Sequence, residues 1–181
     1  MQLLDAAKSF LNGRIKEDDT LVDFTMGNGH DTAYLCSLVP KGTVYAFDIQ
    51  REALENTSKL LSDMGYGNAT LIQDSHANIA KYVKSFRCGM FNLGYRPGGD
   101  KSVTTMTEST LKAVKDGISL MEKGGVLVVS VYPGHEEGTR EGEALYRLLS
   151  SYDKIYYSVI QYRMINSPTS PFIFAIEKYD K

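Results

Sequence analysis

The 181-residue chain predicts an α/β fold: a mostly parallel seven-stranded sheet, helices on both faces, and a C-terminal antiparallel hairpin. Three observations predict it. Strand-like and helix-like patterns alternate along the chain, which implies parallel strands joined by crossover helices. The segment Asp23-Phe24-Thr25-Met26-Gly27-Asn28-Gly29-His30-Asp31-Thr32 reads as a strand, a small-residue turn and a helix start. After Leu149 two strand patterns follow with no helix between them. They are joined by Asn166-Ser167-Pro168-Thr169-Ser170-Pro171, a connection suited to antiparallel neighbours.

Taken in order, Leu3, Leu4, Ala7, Phe10 and Leu11 fall on one face of a helix within Met1–Gly13. Strands are expected at Leu21–Met26, Thr43–Asp48, Ala69–Gln73, Cys88–Leu93, Val126–Tyr132, Ile155–Tyr162 and Phe172–Glu177. Helices are expected at Thr32–Leu38, Arg51–Met64, Asn78–Val83, Val103–Met121 and Glu141–Leu149. Five parallel strands closed by a hairpin outline a Rossmann-like class I methyltransferase sheet rather than a dehydrogenase sheet. No repeat, low-complexity tract or linker divides the chain, so residues 1–181 read as a single domain.

Hydrophobic content of 43% and charged content of 23% suit a soluble globular protein. No apolar run approaches the ~20 residues needed to span a membrane, so no membrane partner is expected. The N-terminus lacks the basic start and apolar block of a signal peptide. Cys36 and Cys88 form no Cys-x-x-Cys pair, so they read as reduced, buried thiols in a cytoplasmic protein, and no metal site is expected. A net charge of −2 argues against a non-specific nucleic-acid binder, whose affinity rests on cationic contacts to phosphate. A nucleic-acid substrate would need a local basic patch.

In open α/β sheets, ligands sit outside the carboxyl ends of the strands. Those ends carry Gly27–Asp31, Asp48–Gln50, Asp74–His76, Asn92–Tyr95 and Pro133–Glu137. Gly27 and Gly29 let the backbone approach a ligand, and the helix beyond them offers free N–H groups. Asp48 lies near the ~20-residue spacing at which such folds place a carboxylate for ribose hydroxyls. Gln50 is near enough in sequence to reach the same sugar or the adenine. A dinucleotide fingerprint wants a third glycine where Thr32 stands. The carboxylate of Asp23 instead suits S-adenosylmethionine (SAM), which lacks a pyrophosphate but carries an ammonium and a sulfonium. Asp74 suits an adenine amino group, with Ser75 and His76 beside it for adenine or methionine contacts. The competing structural readings are a tight turn for the glycines and helix capping for Asp48, Ser75 and Asn78.

Asn92-Leu93-Gly94-Tyr95 looks like a relaxed form of the Asn-Pro-Pro-Tyr motif of amine methyltransferases. An amide oxygen and a backbone carbonyl can accept bonds from an N–H₂ group and aim its lone pair, while an aromatic ring stacks on a planar base. A strand end followed by turn residues Arg96–Asp100 is the plainer alternative. Methyl transfer from SAM needs no nucleophilic side chain, because positioning alone is worth roughly 7–11 kcal/mol. An alkylamine with a pKa of ~10.4 must first lose a proton. His135, Glu136, Glu137, Asp100 and Tyr95 are the candidate acceptors of that proton, and the catalytic candidates are Asn92, Tyr95 and His135. Arg96, Lys101, Lys81, Lys84 and Arg87 could meet phosphates, although solvated surface charge is the simpler reading of each.

With these residues laid out, the chain resembles the small bacterial class I SAM-dependent methyltransferase family labelled rRNA methylase. That family includes tRNA 5-aminomethyluridine methyltransferases acting at the wobble position. The resemblance covers nearly the whole chain. It rests on Asp23–Thr32, Phe47-Asp48-Ile49-Gln50, Asp74-Ser75-His76, Asn92–Tyr95 with Pro97–Asp100, and Tyr132–Gly138. Met26 and Arg96 depart from the usual pattern without removing a polar ligand. The resemblance implies SAM contacts from Asn28, His30, Asp48, Gln50, Ser75 and His76. With the sheet-edge reading, the candidate cofactor set is Gly27, Asn28, Gly29, His30, Asp31, Asp48, Gln50, Asp74, Ser75, His76 and Asn92. The implied reaction is methylation of the exocyclic amine of 5-aminomethyluridine in tRNA, with rRNA as the alternative RNA substrate. Dimerisation would pool basic patches and offset the low net charge. The rivals are methylation of a small amine or phenol, and a non-catalytic SAM-binding module.

Overall fold

Period-two alternation decides which face of the sheet each strand residue serves. Both faces are apolar here, as a sheet covered by helices on both sides requires. The computed structural model describes residues 3–94, 98, 100 and 103–179. Its strands are β1 (Thr20–Asp23), β2 (Thr43–Asp48), β3 (Ala69–Gln73), β4 (Phe86–Asn92), β5 (Met121–Val131), β6 (Tyr157–Tyr162) and β7 (Phe172–Lys178). Its helices are α1 (Leu3–Ser9), α2 (His30–Leu38), α3 (Arg51–Met64), α4 (Thr107–Leu120) and α5 (Glu136–Leu149), with a 3₁₀ turn at His76–Lys81. The seven strands lie in the order β3-β2-β1-β4-β5-β7-β6. The first five are parallel, and β7 is antiparallel to both β5 and β6. This is the doubly wound sheet with terminal hairpin that the chain predicts.

The alternation is visible on the central strands. Leu21, Cys88, Met90, Val126 and Val128 bury toward α1 and α2 in one cluster. Val22, Phe91, Leu127 and Val129 bury toward α4 and α5 in the other. Phe24 anchors the second cluster. Its ring stacks on Phe91 with centroids 5.1 Å apart and meets Phe86 edge-on at 6.0 Å. The ring takes the space that a side chain at Gly89 or Gly117 would need, since a Cβ at either would lie 3.0 Å from it. α4 therefore approaches the sheet closely at Gly117.

Most boundaries fall within a few residues of expectation, and β2, β3 and α3 coincide with it. Four elements differ for identifiable reasons. The 76–81 segment is a 3₁₀ turn displaced toward Ser75, whose hydroxyl accepts from the Ala77 N–H. α4 starts at Thr107 rather than Val103 because Thr105 is tied to Gly94 instead of to a helix. α5 starts at Glu136 rather than Glu141. His135 caps it by accepting the Gly138 N–H at Nδ1, and Glu136 and Glu137 fall in the first turn, where carboxylates favour the helix dipole. β5 begins at Met121 rather than Val126, through an irregular stretch where its register with β4 shifts.

Candidate active site

The turn after β1 sets the geometry of the cofactor edge. Gly27 and Gly29 have φ of 51° and 87°, a region where side chains are strained. A Cβ on Gly29 would also lie 2.9 Å from the Thr57 backbone in α3. The Asp48 carboxylate, at the end of β2, accepts from the Gly27 N–H at 3.1 Å and the Gln50 N–H at 3.0 Å. Lone pairs remain on it for further donors. Asn28 accepts at its side-chain oxygen from Asn56 Nδ2, 3.3 Å away, and His30 is exposed at the first residue of α2. Gln50 stands at the start of α3, where its carbonyl accepts from Ala53 and Leu54. Gly27, Asn28, Gly29, Asp48 and Gln50 are thus brought together.

At the end of β3 the side chains serve one another. Asp74 accepts from Ser75 N–H, Asn78 Nδ2 and the Tyr82 hydroxyl. Those bonds hold its carboxyl below the usual range, the Asn78 and Tyr82 bonds foremost. Asp74 and Ser75 therefore organise the 3₁₀ turn, which was the competing reading of this segment. The His76 ring packs on Phe91 with centroids 4.7 Å apart. Burial pushes its pKa down to about 4, against a smaller opposing bond to the Phe24 backbone. The ring is neutral at pH 7, and its buried Nε2 has no hydrogen-bond partner among the described residues.

Asp23 is fully buried beneath the glycine turn. Its carboxylate accepts from the Thr32 hydroxyl at 2.7 Å and the Thr25 N–H at 3.1 Å. Burial, then the nearby Asp31 charge, pushes its pKa up to about 7 against those bonds.

The end of β4 is stitched from several directions. The Thr25 hydroxyl donates to the Asn92 carbonyl and accepts the Asn92 N–H. The Asn92 side chain donates through Nδ2 to Asp31 at 2.6 Å, leaving its buried Oδ1 without a partner among the described residues. Gly94, at φ 108°, donates to the Thr105 hydroxyl, which in turn donates to Glu141 at 2.9 Å. Glu141 is fully buried and also accepts from Thr110 at 2.6 Å. Burial raises its pKa against those two bonds. Glu137 accepts from the N–H and hydroxyl of Thr107, and these bonds lower its pKa. His135 lies at the same edge, as the cap of α5, close to Gly94. Tyr95, Arg96 and Lys101 lie outside the described residues.

An open groove of about 730 Å³ lies away from all of these side chains. It runs along α3 and the edge strand β3, between Arg51, Glu55, Lys59, Asp63 and Gln73. Being wide open and without any of the candidate residues, it is a crease at the sheet edge rather than a site. Among the described residues no three metal-ligating side chains cluster, and no helix is long and apolar enough to cross a membrane.

The family described as "Putative rRNA methylase" matches residues 44–177. The chain belongs to that rRNA methylase family. It is 34% identical over 171 residues to a chloroplastic tRNA (mnm(5)s(2)U34)-methyltransferase of Arabidopsis thaliana, covering 87% of this chain and 62% of that protein's length. A solved structure from Clostridium thermocellum, given the same family description, superposes with a TM-score of 0.95 at 38% identity over 98% of both chains. Another, from Streptococcus mutans, is described as a methyltransferase in complex with SAH. It superposes with a TM-score of 0.91 at 36% identity, again over 98% of both chains. The family and the fold are those of SAM-dependent methyltransferases.

The residues at this edge fit SAM. Asp48 keeps acceptor capacity for ribose hydroxyls beside the glycine turn, and the buried Nε2 of the neutral His76 ring has no partner among the described residues. The sequence reading missed Lys8, Thr57, Thr105 and Glu141 as parts of the site's framework, and it gave Thr25 no role of its own. Only Thr25, between Phe24 and Met26, carries a local signal, a polar residue among apolar ones; the others are ordinary polar positions on helices or loops.

Proposed function

We propose that the protein N-methylates the exocyclic amine of 5-aminomethyluridine at the tRNA wobble position, giving the methylaminomethyl form. The observation that carries the acceptor class is the buried Oδ1 of Asn92 at the end of β4. A buried acceptor atom without a donor costs about 1–3 kcal/mol, and an N–H of an incoming amine removes that cost. The specific nucleoside is supported by the Arabidopsis relative, whose name gives a modified wobble uridine.

When bound, SAM supplies a methyl carbon already activated by its sulfonium. Asp48, Asn28 and Gln50 would hold it, with the ribose on Asp48. Asn92 receives an N–H and points the nitrogen lone pair. Glu141, through Thr105, fixes Gly94, two residues beyond Asn92. Tyr95 would stack on the base. A homodimer that pools cationic surface would reconcile a net charge of −2 with a tRNA partner, and a cytoplasmic location accords with both.

The test is nucleoside mass spectrometry of tRNA bearing 5-aminomethyluridine after incubation with protein and SAM. The expected result is a gain of one methyl on that nucleoside. No gain, with SAM binding intact, would overturn the tRNA reading and leave rRNA or a small amine as acceptor. A steep fall of RNA affinity with salt is expected for phosphate contacts.

A further inference from the structure

Asp31 stands in the first turn of α2, among residues that suit the cofactor. Its side chain is engaged elsewhere. One carboxylate oxygen accepts from Asn92 Nδ2 at 2.6 Å, across 61 positions of sequence. The other lies 3.9 Å from Lys8 Nζ in α1, in a pair whose side chains are 35% and 15% exposed. The Lys8 ammonium also sits over the Tyr34 ring, 4.4 Å from its centre. A carboxylate can only accept, so it fixes which end of the Asn92 amide faces it. The nitrogen turns to Asp31, and the oxygen is left buried and unpartnered among the described residues.

We propose that Asp31 is a positioning residue for the methyl acceptor rather than a ligand of SAM: it locks the Asn92 amide with Oδ1 toward a primary amine. The inference rests on the methyltransferase reading above and names the side of the site on which Asp31 works. Its charge suits an alkylamine as acceptor. Displacement at the sulfonium forms the N–C bond with the nitrogen pair while the C–S bond gives its pair to sulfur. Positive charge therefore moves from sulfur to nitrogen, and a fixed carboxylate near the nitrogen favours that movement. The charged and titratable groups facing Asp31 are Lys8 from α1, Asp23 from β1, Tyr34 from α2 and Tyr132 beyond β5.

The experiment is a double-mutant cycle with three readouts: kcat on 5-aminomethyluridine tRNA, SAH affinity by calorimetry, and the NMR signals of the Asn92 side-chain amide. Asp31→Asn can face Asn92 with either end of its own amide, so the lock is lost. It is expected to lower kcat by about tenfold or more, as misplaced reacting groups do, and to leave SAH affinity within about twofold. The Asn92 amide protons should lose the downfield shift of a carboxylate bond. Asn92→Asp alone sets two carboxylates against each other and should be as slow. The combined Asp31→Asn, Asn92→Asp protein restores a donor at 31 and an acceptor oxygen at 92, and it should recover part of the lost kcat. Loss of SAH affinity in step with kcat would overturn the proposal and return Asp31 to the cofactor. Near-normal kcat in Asp31→Asn, or no recovery in the combined protein, would also overturn it. If the unaltered protein binds SAH and keeps the shifted Asn92 signals but does not methylate this tRNA, the failure lies with the tRNA reading and not with the Asp31–Asn92 lock.

Discussion

The cofactor side and the acceptor side of the catalytic edge are assembled over different distances in sequence. Gly27 meets Asp48 across 21 positions, Asp48 meets Gln50 across two, and the glycine turn is a local backbone shape. Asn92 meets Asp31 across 61 positions and Thr25 across 67, and Thr105 meets Glu141 across 36. The cofactor side is thus a motif, and the acceptor side is a product of tertiary packing. Substitutions on the two sides should strike different steps, the first SAM binding and the second turnover.

The sharpest way to break this comparison is Gly29→Ala. It combines a left-handed φ with a Cβ 2.9 Å from the Thr57 backbone, a strain of about 1–3 kcal/mol before any clash. SAH affinity measured by calorimetry is expected to fall by about 100-fold or more. Normal affinity would mean that the turn does not shape the cofactor site.

Asp23 and His76, on the floor shared by both sides, give the next largest effect, through pH. Asp23, at about 7 in the fold, takes up a proton on acidification from pH 7 that the unfolded chain leaves in solution until near 3.9. That contribution stabilises the fold as pH falls. His76, at about 4, stays neutral while the unfolded chain protonates below about 6.5, so its contribution is lost over the same range. Each is on the order of 2–3 kcal/mol between pH 7 and 5, with opposite sign. Urea denaturation of the unaltered protein should therefore give nearly equal stability at the two pH values. Asp23→Asn should become less stable at pH 5 than at pH 7, and His76→Gln more stable. Parallel behaviour of the two variants would refute the assignment.

A smaller effect is expected from Glu141→Ala, which strips two buried threonine hydroxyls of their acceptor. The cost is about 1–3 kcal/mol for each buried polar group left unsatisfied. Steady-state kinetics should show kcat reduced by about tenfold while SAH affinity stays within about twofold. A parallel loss of SAH affinity would erase the distinction between the two sides. The control is Arg140→Ala. It removes an exposed i,i+4 pair with Glu136 and should change stability by no more than about 0.5 kcal/mol, with neither step affected.

The same contrast explains what was legible in the sequence. β2, α3 and β3 could be read residue by residue because alternation and helical spacing are local signals. Gly65, at φ 75°, closes α3 by donating to Leu61 and Ser62, as helix C-terminal glycines do. The start of α5 was not legible. Gly138 and Gly142 dilute its helical pattern, and its cap is a histidine whose role depends on ring orientation. Asp31 was grouped with its neighbours in the turn, since nothing within ten residues announces Asn92 or Lys8. Glu141 reads as one more charge on a polar helix, and only the packing of α4 against α5 buries it.

Phe24 and its two glycine neighbours carry a consequence for how this protein could change over generations. Neither Gly89 nor Gly117 has a left-handed backbone; the Phe24 ring crowds a methyl group at both, joined at Gly89 by Phe86 and Leu127 at 3.2 Å. A lineage that loses the ring, as in Phe24→Ala, opens a hole that those positions are placed to refill. Gly117 has the greater incentive, because alanine also improves a helix interior by about 1 kcal/mol. Selection for restored growth or solubility after Phe24→Ala should therefore return Gly117→Ala first, a compensating change that would be harmful in the unaltered chain.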